Sequence, residues 1–216
     1  QKVTWDCVWF GSYPQAEVIP SNVEYTALDA SLRRDGDVIV SDSVYAALQS
    51  ASGWDANNDI TVNGVKYRRM KQEDATYIGI DDVYHGHYRW SNSTDYHYFK
   101  YEPIKWRVLR TDGNQALLLS DIALDDQRYH TEYESVTWET STIRSWLNGY
   151  GAGSNKQSVD YTQKNFIGSA FTASERAAIA DSPLENADNI EYGIEGGNNT
   201  TDKIFLLSES NVWNTD

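Results

Sequence analysis

Sulfur is almost missing from this chain. Cys7 is the only cysteine and Met70 the only methionine in 216 residues. A single thiol cannot close an internal disulfide, so the fold must stand on packing alone. Scarcity of cysteine suits the cytosol, and equally suits exported bacterial proteins that do without disulfides. Cationic charge is short as well: 18 Lys and Arg face 32 Asp and Glu, a formal net charge of −14. A chain this acidic lacks the basic footprint that a phosphate backbone demands, which argues against nucleic acid as partner. The same deficit argues against anionic membrane surfaces. No apolar run approaches the roughly 18 residues of a spanning helix. The chain opens at Gln1 with no basic-then-apolar leader and reads as a trimmed or mature form. Also missing are Gly-x-Ser-x-Gly, His-Glu-x-x-His, a Walker loop and a dinucleotide fingerprint.

What the chain does have is aromatic surface. It carries 15 Tyr, 8 Trp and 5 Phe. Such residues favour strands and half-wet binding surfaces. In "TWDCVWFGSYPQAE" Trp5, Cys7 and Trp9 alternate with Asp6, Val8 and Phe10. Both faces are largely apolar, which predicts an interior strand with Cys7 buried as a small apolar side chain. Trp5, Cys7 and Trp9 would then face one core layer. Gly11 allows a bulge, and Pro14 should end the strand or place it at an edge.

Elsewhere the pattern is mixed α and β with short elements. Asn63-Gly64 in "DITVNGVKYRRM" is the strongest local hairpin signal, and "IKWRVLRTDGNQALLLSD" predicts a second hairpin turning at Asp112-Gly113. Ser41 or Asp42 should cap a helix closing near Gly53. "TSTIRSWLNG" reads as a helix stopped by Gly149, with Ile143, Trp146 and Leu147 on one face. "YTQKNFIGSAF" is a marginal helix, and Thr172-x-x-Glu175 is a capping box. "DKIFLLSES", from Asp202, predicts a last strand.

Several residue groups suggest chemistry. His85, His87 and His97 with Asp81 and Asp82 form a His–carboxylate cluster, although no further ligand has a diagnostic spacing. Asp55, Asn57 and Asp59 open like a calcium loop, but Ile60 and Lys66 break the EF-hand pattern, leaving calcium as the candidate cofactor at a different kind of site. Pairs such as Asp125/Asp126 and Glu132/Glu134 could serve glycoside hydrolysis, yet an acidic chain supplies such pairs by chance. Trp54, Tyr88, Trp90 and Tyr96 lie in loop sequence and could stack on sugar rings or equally cover a core.

Six ordered blocks carry a resemblance: "FGSYPQ", "EPIKWRVL", "ALLLSDIALDDQRY", "TWETSTIRSWLNG", "NFIGSAFTASERAAI" and "DKIFLLSESNVW". Together they resemble an uncharacterised domain of secreted and cell-wall proteins of Gram-positive bacteria, similar in layout to C-type-lectin-like and formylglycine-generating folds. The resemblance implies one α+β domain over residues 1–216, a small twisted antiparallel sheet with short packed helices and long loops that bind a ligand. It implies an extracellular location and a glycan or surface protein as partner. Paired cysteines of the formylglycine chemistry are missing, so that activity does not carry over. The "WWLRSP"-like and "GVRPAL"-like blocks of that domain are also missing, so the sheet is expected to lack its C-terminal strands or to be closed at an open edge by a partner chain. The leading expectation is an adhesin-like binding module. The alternatives are a hydrolase using paired carboxylates and an assembly domain completed by another chain.

Overall fold

Unit 1 is organised by one strand long enough to run the whole length of a sheet. In the computed structural model, which describes residues 4–23, 38–71, 84–85, 88–89 and 95–208, the chain divides into two compact units, Gln1–Gln127 and Arg128–Asp216. The described elements of unit 1 are β1 (Cys7–Ile19), β2 (Val38–Val40), α1 (Asp42–Ser50), β3 (Asp59–Val62), β4 (Val65–Met70), the two-residue strands β5 (Tyr84–His85) and β6 (Tyr88–Arg89), β7 (His97–Asp112) and β8 (Gln115–Ser120). Those of unit 2 are α2 (Thr142–Asn148), α3 (Phe166–Ala170), α4 (Ala173–Ala178), β9 (Ser182–Leu184) and β10 (Thr200–Asp202), with short 3-10 turns between them.

The class is α+β. The main sheet has six strands in the order β2-β1-β7-β4-β3, with β8 also on β7. It is mixed rather than purely antiparallel, because β2 runs parallel to β1. One edge of β7 pairs with β1 from Arg107 to Tyr98. Its other edge is shared: β4 takes His97 to Lys100, and β8 takes Trp106 to Asp112. The Asn63-Gly64 turn forms as expected, with both residues at positive φ, as a type I′ turn requires. The second hairpin turns one residue later than expected, at Gly113-Asn114, because Asp112 pairs with Gln115.

β1 does not stop at Pro14. The strand runs on to Ile19 and absorbs the irregularity in two register shifts, between Trp9 and Ser12 and between Pro14 and Ala16. Gly11, at φ +71, lies in the first shift, as a bulge glycine does. The apolar core lies at the far end of β1. Val18, Leu48 of α1, Tyr67 and Tyr98 are buried, with Ile39, Val44, Tyr45, Trp54, Ile60, Val62, Val65 and Tyr96 packed around them. The near end is bare, which corrects the expectation for Trp5, Cys7 and Trp9: Cys7 is exposed, Trp5 is 46% exposed and Trp9 66%. The strand prediction is right and the burial prediction is wrong. α1 packs on β1 only where β2, β4 and the core are, and local apolarity does not reveal which end of a long strand is covered.

Unit 2 follows its caps closely. Ser41-type capping recurs at Ser141, whose Oγ accepts the Arg144 N–H at 3.2 Å, and α2 ends at Gly149 with φ +70. Ile143 and Leu147 are buried. The Thr172–Glu175 capping box is complete. Among the described residues the expected strand from Asp202 onward is not there: β10 ends at Asp202 and 203–208 are not strand. The following backbone is held by a side chain instead, since Asn148 Oδ1 accepts the N–H of Lys203 (3.1 Å) and Ile204 (3.0 Å) and its Nδ2 donates to the Ile204 carbonyl at 2.8 Å. Among the described residues no helix is long and apolar enough to cross a membrane.

An exposed Cys7 has a direct consequence. A thiol reagent should label it in the native protein at a rate close to that of the unfolded chain. Strong protection in native buffer, relieved by denaturant, would show that something covers this end of β1.

Candidate functional site

The bare end of the sheet carries a polar and aromatic platform. Trp9 stands across the ladder from Lys105, Cys7 from Arg107, and Arg107 in turn from Leu119 on β8. Directly paired residues share a face, so these side chains line one side of the sheet. Asp121 follows β8 and gathers the two cations: Lys105 Nζ lies 3.3 Å from its Oδ2 and Arg107 Nε 2.5 Å from its Oδ1. Its backbone N–H donates to the Lys105 carbonyl at 2.9 Å, which fixes it beside the strand end. The Arg107 hydrogen bond, helped by Lys105 and opposed by slight burial, holds the Asp121 carboxyl below the usual carboxylate range. The result is an exposed indole beside a row of fixed donors and acceptors.

The residues singled out from the sequence are placed differently. Trp54 and Tyr96 do come together, on either side of Arg69. The guanidinium carbon lies 4.7 Å from the Trp54 ring centre and 4.3 Å from that of Tyr96. Both rings are half-buried against the core instead of exposed in loops, and the Trp54 N–H donates to the Ala51 carbonyl at 3.1 Å. Their faces are occupied by Arg69 of β4, a partner distant in sequence from both rings that no local motif announces. Tyr88 lies in β6, and its side chain and the whole of Trp90 fall outside the described residues, as do His87, Asp81, Asp82 and the side chain of His85. His97 is turned to Glu17, its Nδ1 2.6 Å from Oε1.

The candidate calcium loop is closed by its own side chains. Asp55 Oδ1 accepts the N–H of Asn57 (2.8 Å) and of Asp59 (2.9 Å), a turn-forming use of an Asp. Asp59 is buried, and it accepts from Arg68 Nε (2.7 Å), Arg68 Nη2 (3.1 Å) and the Tyr101 hydroxyl (2.7 Å), with Lys66 Nζ 3.0 Å away. Both Asp59 oxygens are therefore already matched by protein cations. No group of three or more His, Cys, Asp or Glu among the described residues is placed to hold a metal. Tyr13 extends the network by donating to Asp125. Burial first, and then the Asp125 charge, push the Tyr13 phenol far above its ordinary value.

Unit 2 has its own buried carboxylate. Asp202 is fully buried and accepts from Arg144 Nε (2.9 and 3.0 Å), Trp138 Nε1 (3.0 Å), Thr200 Oγ1 (2.9 Å) and the Tyr150 hydroxyl (2.9 Å). Burial works to raise its pKa, but these hydrogen bonds outweigh it and hold the carboxyl below the usual range. Burial and the Asp202 carboxylate push Tyr150 up to about 12. Every oxygen here is engaged, which makes Asp202 a staple between α2, β10 and the 3-10 turn at Trp138–Thr140.

Residues 113–216, a little under half of the chain, match a family described as a domain of unknown function (DUF6273). The match takes in β8, Asp121 and all of unit 2, and leaves Trp9, Lys105 and Arg107 outside it. No curated protein and no solved structure matches the chain.

Two substitutions test the structural role of these carboxylates. Asp59→Ala leaves the Arg68 guanidinium buried without its counter-charge and should cost about 3–5 kcal/mol in chemical denaturation, while the double change Asp59→Leu/Arg68→Met should cost less than the single one. For Asp202 the folded-state pKa lies below the unfolded value of about 3.9. Its stabilisation is therefore complete above that value and lost as pH falls through the folded pKa. The stability gap between the parent chain and Asp202→Asn should be constant near neutrality and shrink in acid; a gap that widened below pH ~4 would contradict the assignment.

Proposed function

We propose that this chain is a ligand-binding module of a bacterial surface protein, adhesin-like, that takes a glycan on the Trp9 face of its sheet. The observation that carries the reading is the pairing of a 66%-exposed Trp9 with the Lys105–Asp121–Arg107 row on the same face. Pyranose rings offer apolar C–H faces and a rim of hydroxyls. An exposed indole answers the first, and a carboxylate flanked by two cations answers the second. The strand ladder fixes the backbones of Trp9, Lys105 and Arg107, and the Asp121 N–H bond to the Lys105 carbonyl fixes the fourth, which lowers the ordering cost of binding. The C-type-lectin-like layout belongs to the same reading, which shares with the structure the α+β class and the few short helices, though not a purely antiparallel sheet. The extracellular location comes with it.

One observation favours a second reading, a domain that assembles through a sheet edge. β8 pairs with β7 on one side and with no described strand on the other. It contains no charged residue, and Leu117, Leu118 and Leu119 are only half-buried. Edges without charge or proline invite strand addition.

A glycan array run in calcium and again in EDTA separates these. The expected outcome is a specific hit that survives EDTA, because Asp55 Oδ1 and both Asp59 oxygens are already engaged within the protein. Trp9→Ala should weaken that hit at least about tenfold with an unchanged melting temperature, since the side chain is mostly exposed. Silence on the array together with a concentration-dependent dimer in light scattering, abolished by Leu118→Lys, would move the conclusion to assembly.

A further inference from the structure

Unit 2 carries a separate feature with different chemistry. Residues 185–199 connect β9 to β10, and at their tip Ile190 is 91% exposed, Tyr192 69% and Ile194 60%. Large apolar side chains this exposed would ordinarily fold back on a loose loop, to shed water contact. Here the backbone holds them out. Asn189 and Ile194 exchange both backbone hydrogen bonds, at 2.8 and 3.1 Å. Gly193, at φ +62, supplies the left-handed residue that closes the four-residue turn, and Asn189 Oδ1 accepts the Tyr192 N–H at 3.2 Å. Below the tip, Asp188 Oδ1 accepts the Gly196 N–H at 2.8 Å, and Asn186 Nδ2 donates to the Asn198 carbonyl at 2.7 Å. Asn198 Nδ2 in turn donates to Glu139 Oε2 at 3.0 Å. The two arms approach so closely at Gly196 that an added Cβ would lie 2.1 Å from the Asn186 carbonyl oxygen.

The charge around the tip has one sign. Glu185, Asp188, Glu191 and Glu195 are all exposed, and no Lys or Arg occurs from 177 to 202. We propose that this tip is a protein-docking element, complementary to a protein surface in which an apolar recess is rimmed by Lys or Arg. Tyr192 is of the type enriched among interface anchors, the two Ile add apolar area to bury, and the surrounding carboxylates select a basic rim and speed encounter with it. The same carboxylates oppose an anionic bilayer, which makes a membrane the poorer occupant. The inference is independent of the glycan reading, since it concerns the other unit and other residues.

The test uses the full chain, immobilised, and a phage-displayed library of disulfide-cyclised peptides as probe. The expected result is enrichment of peptides that combine apolar residues with Lys or Arg, with binding that weakens as salt is raised. Ile190→Ser/Ile194→Ser should reduce that binding about tenfold or more while leaving the melting temperature unchanged. Glu191→Lys/Glu195→Lys keeps the apolar anchors and should lose the same peptides. Absence of a basic–apolar consensus, or a consensus that binds both variants as well as the parent chain, would overturn the proposal. So would vesicle co-sedimentation that depends on Ile190 and Ile194.

Discussion

The constraint on which unit 1 depends is the length of β7. Sixteen residues of continuous strand span more sheet than one small core can cover. One edge of β7 is paired with β1 along most of its length, and the other is divided between β4 and β8. β7 is therefore paired on at least one edge along nearly all of its length, and the side chains are not equally sheltered. Tyr98, Tyr101 and Ile104 are buried, whereas Arg110 to Asp112 are exposed. The same gradient runs in the opposite chain direction along β1, from exposed Cys7 to buried Ile19. A covered end and a bare end on one rigid ladder are what let Trp9, Lys105 and Arg107 be both fixed and accessible.

The charge balance follows a related logic. Neighbouring residues on a strand point to opposite faces, so Arg68 and Arg69 serve two sides of the sheet. Arg69 stacks on Trp54 and Tyr96, and Arg68 is forked onto Asp59. Arg144 is likewise committed, its Nε to both Asp202 oxygens and its Nη1 to the Glu139 carbonyl. In a chain with 18 cationic and 32 acidic residues, each cation drawn inward leaves the remaining surface more acidic. The all-acidic neighbourhood of residues 185–195 is one place where that surplus is concentrated on a defined shape.

Much of this could be read from local sequence wherever the determinant is itself local. A two-residue Asn63-Gly64 turn fixes the register outward from Val62 and Val65, and counting along the arms puts Asp59 opposite Arg68. The Ser141, Thr172 and Gly149 caps were equally legible, because each acts within four residues. What could not be read depends on distant partners. Nothing near Trp5, Cys7 or Trp9 says that α1 covers only the other end of their strand. Nothing near Pro14 says that a bulge will carry the strand past it. Trp54 and Tyr96 look like loop aromatics until Arg69 is brought between them. The parallel pairing of β2 with β1 is likewise a long-range choice. The Lys105–Asp121–Arg107 row was within reach: alternation puts Lys105 and Arg107 on one face, and only the connection to Trp9 required the sheet.

The two surfaces proposed for binding are rigid for different reasons, and that difference bears on what each can recognise. The Trp9 face is held by a ladder whose hydrogen bonds do not depend on side chains. Its polar row already satisfies itself through Asp121, so a ligand must compete with existing ion pairs, which favours many weak hydroxyl contacts over one strong charge. The tip at Ile190–Ile194 is held by Asn186, Asp188, Asn189 and Asn198, side chains that take the place of strand pairing in a connection too long for a tight hairpin. Its anchors have no internal partner to give up, so burying them yields the whole hydrophobic gain, on the order of 25 cal/mol per Å² of apolar area. Displaceable ion pairs suit a hydroxyl-rich ligand, and exposed apolar anchors suit a protein recess, so the two proposed modes of recognition rest on surfaces braced in different ways.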